Sequence, residues 1–272
     1  MSNGKSIKVI LDSDVMPGEI LVFDRGDMRS LLSHCTQVPA KVCVFEYIYF
    51  ARPDSVMDSV SVHHARLKAG EVLAKEHPVE ADIVIGVPDS GLDAAIGFAR
   101  ASGIPYGLGF IKNKYIGRTF IAPKQKERET GVRIKLNPIA TEVRGKRVVL
   151  VDDSIVRGTT SKKIVKLLRE AGAKEVHMRV TAPPFINPCY YGTDIKSRDS
   201  LIACLYPEKD IAGVIGADSL GYISVEGVRS IAGDASLGFC TACFDGNYPT
   251  QAPESMERDR FSKRLMRIGG TV

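Results

Sequence analysis

The sequence predicts an α/β fold in which a mostly parallel sheet is flanked by helices, and three stretches carry that prediction. Val148 to Val151 is a run of four apolar, mostly β-branched residues that ends at Asp152 and Asp153. It turns through small and polar residues and continues as the amphipathic stretch Ser161 to Ala171, with Gly172 at its stop. Ala81 to Gly86 is a second buried run that ends in a turn and leads into helical residues Leu92 to Ser102. Glu175 to Thr181 is a third strand, closed by Pro183 and Pro184, which cannot donate to a sheet ladder. Strands alternating with helices in this way pair in parallel. With 272 residues, 44% of them hydrophobic, the chain can bury one sizeable core and a smaller appended unit.

Composition narrows the function classes. A net charge of +5, from 37 basic and 32 acidic residues, is spread without a basic tract, which argues against a nucleic-acid partner and suits small anionic ligands. Met1 to Ser6 hold no apolar signal region, and no stretch approaches the ~18 uninterrupted apolar residues of a membrane helix. The expectation is a cytoplasmic protein with no membrane partner. Six cysteines in a reducing compartment point to metal binding or plain burial, not to a disulfide framework.

In chain order, Ile7 to Leu11 and Glu19 to Phe23, separated by Met16, Pro17 and Gly18, read as a hairpin of short strands. Val42 to Phe50 reads as an aromatic-rich strand entering a turn at Pro53. Val62 to Lys75 has helical period, with Val62, Leu67, Val72 and Leu73 on its apolar side. The adjacent His63 and His64 fall on different faces of that helix and read as structural. Gly109 to Thr130 is dense in cations and carries turn residues Gly117 and Pro123, the composition of a mobile positive flap or of a solvated loop. Ile186 to Asp194 reads as loop, and the chain after Pro249 is polar and unpatterned.

The strand end at Asp152 carries the most chemistry. Strand, turn from Ser154 to Thr160 with Gly158 inside it, and helix N-terminus together present backbone N–H groups at the positive end of a helix dipole, a seat for a phosphate. Asp152 and Asp153 would repel that phosphate; they suit ribose hydroxyls, directly or through Mg²⁺. A phosphate beside a diol describes a ribose 5-phosphate. The junction at Pro88, Asp89, Ser90 and Gly91 has the same form and implies a second anion site.

The segment running from Val151 through Asp152, Asp153, Ser154, Ile155, Val156, Arg157, Gly158 and Thr159 to Thr160 resembles the phosphoribosylpyrophosphate (PRPP) signature of type I phosphoribosyltransferases. Within them it resembles the glutamine PRPP amidotransferase family, and the resemblance extends from Pro17 to Thr250. It implies the type I phosphoribosyltransferase fold with a small C-terminal hood, to which Gly216 to Gly227 is assigned. It divides the chain into a remnant of the glutaminase domain with its linker (1–40), a transferase domain (41–250) and a polar tail (251–272). PRPP contacts are implied for the segment from Asp152 to Thr160, and pyrophosphate contacts for Pro88, Asp89, Ser90 and Gly91. Mg²⁺ ligation is implied for Ser90, Asp152 and Asp153.

By the same resemblance Lys112, Tyr115 and Arg118 belong to a catalytic flap that folds over PRPP and excludes water. The implied reaction is attack of ammonia on PRPP, giving 5-phosphoribosylamine and pyrophosphate in purine synthesis, by a homo-oligomer. The family's glutaminase nucleophile is a cysteine at the mature N-terminus, and Met1 and Ser2 do not match it. Ammonia is therefore expected to be free or to come from a separate glutaminase subunit. The alternatives are a phosphoribosyltransferase for another amine or nucleobase and a non-catalytic PRPP-binding regulator or assembly protein.

Cys240 and Cys243 form a Cys-x-x-Cys pair in a Gly-flanked loop, a geometry for Zn²⁺ or an iron–sulfur cluster. Two more thiols are needed, with Cys35, Cys43, Cys189 and Cys204 as candidates. Cys189 is favoured by its Pro-bounded loop, while Cys204, between apolar residues, reads as buried core. The family resemblance supplies the fourth, because one branch carries a 4Fe–4S cluster on segments like those of Cys43, Cys189, Cys240 and Cys243. Zn²⁺ stays as the alternative occupant.

Overall fold

The computed structural model describes residues 15–113, 136–193, 195, 197–233 and 238–252. They fall into two compact units, one ending at Lys41 and one starting at Val42.

In the first unit, β1 (Ile20–Asp24) pairs antiparallel with β2 (Asp27–Leu31). Arg25 and Gly26 take positive φ, 45° and 97°, a two-residue turn whose twist matches that of the strands it joins. Of the short strands expected at Ile7–Leu11 and Glu19–Phe23, the second is β1. The local turn at Arg25 and Gly26 pairs Ile20 to Asp24 with the residues that follow, and 7–11 lie outside the described residues.

The second unit opens with β3 (Lys41–Cys43), a π-helical turn (Glu46–Phe50), and the short hairpin β4 (Val56–Met57) and β5 (Val60–Ser61). The aromatic-rich strand expected at Val42 to Phe50 is thus a strand only up to Cys43. Phe45, Tyr49 and Phe50 pack ring on ring, with centroids 5.6 Å apart for Phe45 and Tyr49 and 5.3 Å for Phe45 and Phe50. A helical turn brings residues four apart together, which an extended strand cannot do.

Helix α1 (Val62–Glu76) is capped by Ser61, whose hydroxyl accepts from the His64 amide. Strand β6 (Ile83–Gly86) then leads into α2 (Gly91–Ser102), and β7 (Phe110–Lys112) pairs antiparallel with β8 (Leu136–Pro138). The chain continues through α3 (Ala140–Val143), β9 (Arg147–Asp152), α4 (Thr159–Glu170) and β10 (Glu175–Val180). It ends with α5 (Ile202–Leu205), α6 (Glu208–Ile215), β11 (Ser219–Tyr222), α7 (Val225–Ser230), β12 (Gly238–Cys240) and α8 (Ala242–Asp245).

The main sheet has the order β11–β10–β9–β6 with every pair parallel. Alternate residues supply two cores, as the two-residue period of a strand requires. Val84, Val149 and Val151 pack with α1 and α2 on one face, while Ile85, Val148, Leu150 and Met178 pack with α4 and α6 on the other. Ser219–Tyr222, assigned by resemblance to a hood, is instead the edge strand of this sheet, because Leu220 and Tyr222 are needed to extend the second core. Among the described residues no helix is long and apolar enough to cross a membrane.

Helices α1 and α2 touch at glycines. A Cβ at Gly70 would lie 1.9 Å from the Ala94 carbonyl oxygen, and one at Gly97 would lie 1.9 Å from that of Leu67. The backbones are therefore as close as backbones pack, and this fixes α1 against the helix that begins at the second anion loop.

Candidate active site

Strand order locates the site. From β6 the chain first returns on one side, where Tyr106 bridges in parallel to Val84, and then on the other side as β9. The order reverses between β6 and β9, and in open parallel sheets ligands bind beyond the carboxyl ends of strands at such a point. The loops there are Val87–Ser90 and Asp153–Gly158.

The first loop is held from beneath. The Val87 amide donates to the Val151 carbonyl at 2.9 Å, and the Gly91 amide donates to the Val87 carbonyl at 3.0 Å. A side chain at Gly91 would place its Cβ 2.5 Å from the Val151 carbonyl oxygen, so only glycine lets α2 start this close to β9. The Pro88–Asp89 peptide is cis. Asp89 accepts from the Lys112 ammonium, which brings the end of β7 to this loop.

The second loop begins with buried acids, Asp152 at 6% exposure and Asp153 at 9%. Burial raises the Asp152 carboxyl well above the usual carboxylate range, and the neighbouring Asp153 charge adds to that; the Asp153 amide, donating to Asp152 Oδ1 at 2.9 Å, opposes it. Asp153 accepts from Ser90 Oγ at 2.6 Å and from Ser154 Oγ at 2.5 Å, so the two loops are tied through one carboxylate. Thr181, at the end of β10, donates its amide to the Asp152 carbonyl at 3.0 Å.

From Ser154 to Gly158 the backbone amides donate to no acceptor among the described residues, while the Val156 carbonyl accepts from the Ile202 amide at 2.9 Å. Ile155 is 2% exposed, its side chain turned into the second core. Gly158, at φ +76°, begins α4, where an added Cβ would lie 2.4 Å from Ile202 Cδ1. Ile155 thus faces inward while Arg157 is exposed, the N–H groups are left over, and the first turn of α4 carries no acid to compete with an anion.

The structure brings Pro88, Asp89, Ser90, Gly91, Lys112 and the stretch from Asp152 to Thr160 to one end of the sheet. Tyr115 and Arg118 lie outside the described residues. Sequence reading missed Arg66, which is 4% exposed; burial works against its charge, and Asp93 and Asp153 favour it. A signal was present: Arg66 is four residues from Val62 and from Gly70, a core-facing position of α1. His63, read as structural, has its Nδ1 3.2 Å from Asp93 Oδ1.

Four cysteines meet elsewhere in this unit. The pairing of β3 with β12 brings Cys43 to Cys240, and the Ile186 and Asn187 amides donate to the Cys243 carbonyl at 3.0 and 3.1 Å, docking the loop that carries Cys189. Burial pushes the Cys43 thiol up to about 11, with Cys240 and Cys189 contributing. Burial likewise raises Cys243, with contributions from Cys43, Cys189 and Cys240. Cys43 and Cys243 are thus each in electrostatic reach of Cys189 and Cys240. Among the described residues, however, no three His, Cys, Asp or Glu side chains stand close enough to hold a single ion. Cys204, expected in the core, is exposed, because α5 turns it outward and its Sγ donates to the Ile186 carbonyl at 3.4 Å.

Two parallel strands deliver a nest of backbone amides and a buried acid pair to one crevice, and the end of β7 brings a lysine to it. The phosphoribosyl transferase domain family matches residues 58–205, and the chain belongs to it. Within it, the chain is similar to the amidophosphoribosyltransferases of Methanothermobacter thermautotrophicus, 51% identical over 243 residues, and of Archaeoglobus fulgidus, 53% over 242. It is 52% identical over 242 residues to that of Bacillus subtilis. These alignments cover 88–89% of this chain and 51–53% of the relatives, so the chain spans about half the length of the curated relatives it matches.

Two solved structures agree at TM-score 0.76 and 51% identity over 88% of this chain. One is described as the allosteric regulatory enzyme of purine biosynthesis, with 52% of its chain covered. The other is glutamine PRPP amidotransferase from B. subtilis complexed with ADP and GMP, with 53% covered.

Proposed function

We propose that this chain carries the transferase half of an amidophosphoribosyltransferase reaction. Ammonia displaces pyrophosphate at C1 of PRPP: the C1–O bond breaks, a C1–N bond forms, and the ammonium so produced loses a proton to water or to the leaving pyrophosphate. The observation that carries this reading is the Ser90–Asp153 hydrogen bond, which joins the pyrophosphate loop to the diol loop across adjacent strands. Half-length similarity to amidophosphoribosyltransferases supports the choice of acceptor.

In this reading the amides of Ser154 to Thr160 hold the 5-phosphate and Asp152 and Asp153 hold the ribose hydroxyls. The loop from Pro88 to Gly91 holds the pyrophosphate, with α2 behind it. Ser90, Asp152 and Asp153 are the groups that would hold Mg²⁺, which when bound supplies positive charge against the leaving pyrophosphate. Lys112, paired with Asp89 in the free protein, exchanges that carboxylate for a pyrophosphate oxygen, and Tyr115 and Arg118 complete the cover. Ammonia is already a nucleophile, so positioning and charge stabilisation dominate. It is supplied free or by a glutaminase site outside these residues, for which the strands before residue 41 serve as attachment.

Cys43, Cys189, Cys240 and Cys243 are the proposed ligands of a 4Fe–4S cluster. A tetrahedral zinc site with Zn–S near 2.3 Å needs sulfurs about 3.8 Å apart. The support for four thiol ligands is the pairing of β3 with β12 and the charge coupling of Cys243 to Cys43, Cys189 and Cys240. Isolation without oxygen should yield a brown protein containing iron and sulfide; a colourless, zinc-loaded one removes this assignment.

The decisive test of function measures pyrophosphate release from PRPP with ammonium, with nucleobases and with no acceptor. Release dependent on ammonium is expected. Release only with a nucleobase sinks the amination reading and leaves the sugar-phosphate site intact.

A further inference from the structure

Thr181 places a hydroxyl where a methyl group would pack as well. The residue follows β10 directly and is 3% exposed, and its neighbours Val180 and Ala182 are fully buried, one in the second core and one in the first. Its backbone is therefore fixed. A hydroxyl buried at such a point has to find an acceptor. Thr181 Oγ1 donates toward two, the Asp152 and Asp153 carbonyls, each at 3.4 Å, while the Thr181 amide donates to the Asp152 carbonyl at 3.0 Å.

These contacts fix peptide planes. In a trans peptide the N–H points opposite to the C=O of the same unit. The Asp152 carbonyl is turned toward Thr181, and the amide of that unit, on Asp153, donates the other way to Asp152 Oδ1 at 2.9 Å. The next unit repeats the arrangement: its carbonyl, on Asp153, is drawn to the same hydroxyl, so its amide, on Ser154, is turned away from Thr181. That amide is the first of the run that donates to no acceptor among the described residues. The ladder between β9 and β10 ends at the pair Asp152 and Val180, and the Thr181 hydroxyl carries its hold one residue further.

We propose that Thr181 is a positioning residue for the phosphate seat: its hydroxyl, shared between two successive carbonyls, sets the direction of the Ser154 amide before any ligand arrives. Bonds at 3.4 Å are weak one by one, yet an amide already aimed spares the loop the cost of being ordered when an anion binds. The other anion loop takes its hold from β9, through the Val87 amide on the Val151 carbonyl, so Thr181 acts on one seat and not on the other. This inference rests on the phosphoribosyl reading above.

The test is calorimetry on the full chain with Mg²⁺ present, using ribose 5-phosphate and inorganic pyrophosphate as separate probes, for wild type, Thr181→Val and Thr181→Ser, alongside thermal melting. Valine keeps the shape and loses the hydroxyl; serine keeps the hydroxyl. Thr181→Val should bind ribose 5-phosphate about five- to tenfold more weakly, the effect of one hydrogen bond, and pyrophosphate within about twofold of wild type. Thr181→Ser should bind both probes within about twofold of wild type, because the donor is kept. Equal weakening of both probes in Thr181→Val, or wild-type binding of ribose 5-phosphate by it, overturns the proposal and leaves the hydroxyl as a packing group. If Thr181→Val does not fold, Thr181→Ser decides: binding of both probes within about twofold of wild type supports the role, and an about fivefold loss of ribose 5-phosphate overturns it. No binding of ribose 5-phosphate by wild type removes the phosphoribosyl reading and this proposal with it, and that failure shows before any substitution is made.

Discussion

Asp152 and Lys112 face the crevice with opposite liabilities. The Asp152 carboxylate is buried, beside a second acid, in an environment that disfavours its charge. Asp152→Asn should therefore leave the free protein as stable as wild type or more so, while Mg²⁺-PRPP binding falls about 100-fold by loss of a diol and metal ligand. Melting curves and calorimetry on one preparation check both signs, and a variant that loses stability but keeps binding would reverse the assignment. Lys112 is only half-buried and its partner Asp89 is mostly exposed, so that ion pair adds little to stability. Lys112→Met should leave the melting temperature nearly unchanged and lower kcat about 10²-fold, the usual effect of deleting one donor to a developing negative charge. At this scale the sequence was readable wherever a motif runs along one strand and its loop, as from Val151 to Thr160. Arg66 escaped because its hydrogen-bond partners, the carbonyls of Tyr47, Tyr49 and Ala51, are distant in sequence and meet it only in space.

At the scale of elements, the helix pair and the central strands are held by different means. Gly97→Ala forces α2 off the Leu67 carbonyl and should cost about 1–3 kcal/mol in urea unfolding, despite alanine's better helix propensity. Strands β6 and β9 are pinned at their starts by Asp82, which accepts from the Arg147 amide at 2.7 Å and from its Nη2 at 2.9 Å. Hydrogen bonds from the Arg147 side chain and amide hold the Asp82 carboxyl at about 2, below its ordinary 3.8. A depressed carboxyl stabilises the fold above its unfolded value and loses that contribution as pH falls through the folded one, so the affected window runs from about 4 down to about 2. Asp82→Asn should unfold at higher pH than wild type on acid titration followed by circular dichroism, with no change at pH 7 in the shape of the spectrum. The sheet and its helices were legible because apolar runs and helical periods are local signals. The π-helical turn at Glu46–Phe50 was not, since its aromatic run suits a strand equally well and only the ring stacking and the Arg66 fork choose between them. The edge strand Ser219–Tyr222 was misplaced for a related reason: with Gly221 inside and two polar neighbours it lacks a strand's composition, and pairing with β10 decides its fate.

At the scale of the molecule, the pairing of β3 with β12 brings the start of the second unit to its end and so closes nearly the whole unit into one loop. If the four cysteines carry the proposed cluster, stripping the iron should lower the melting temperature, and Cys43→Ser should do the same with no further loss on stripping, because both open the same closure. Independent, additive losses would show that the thiols serve separate packing roles. The spacing of Cys240 and Cys243 was visible in the sequence, but the arrival of Cys43 depends on the pairing of β3 with β12, which no local pattern announces.

The loops that grip the two ends of the proposed ligand leave neighbouring rungs of a single ladder, and such rungs are about 4.8 Å apart. The gap between the two proposed anion seats is then set by strand spacing, with the Ser90–Asp153 hydrogen bond across it. A sugar phosphate bearing one extra methylene between ring and diphosphate would overrun that gap, and the fold itself would do the rejecting.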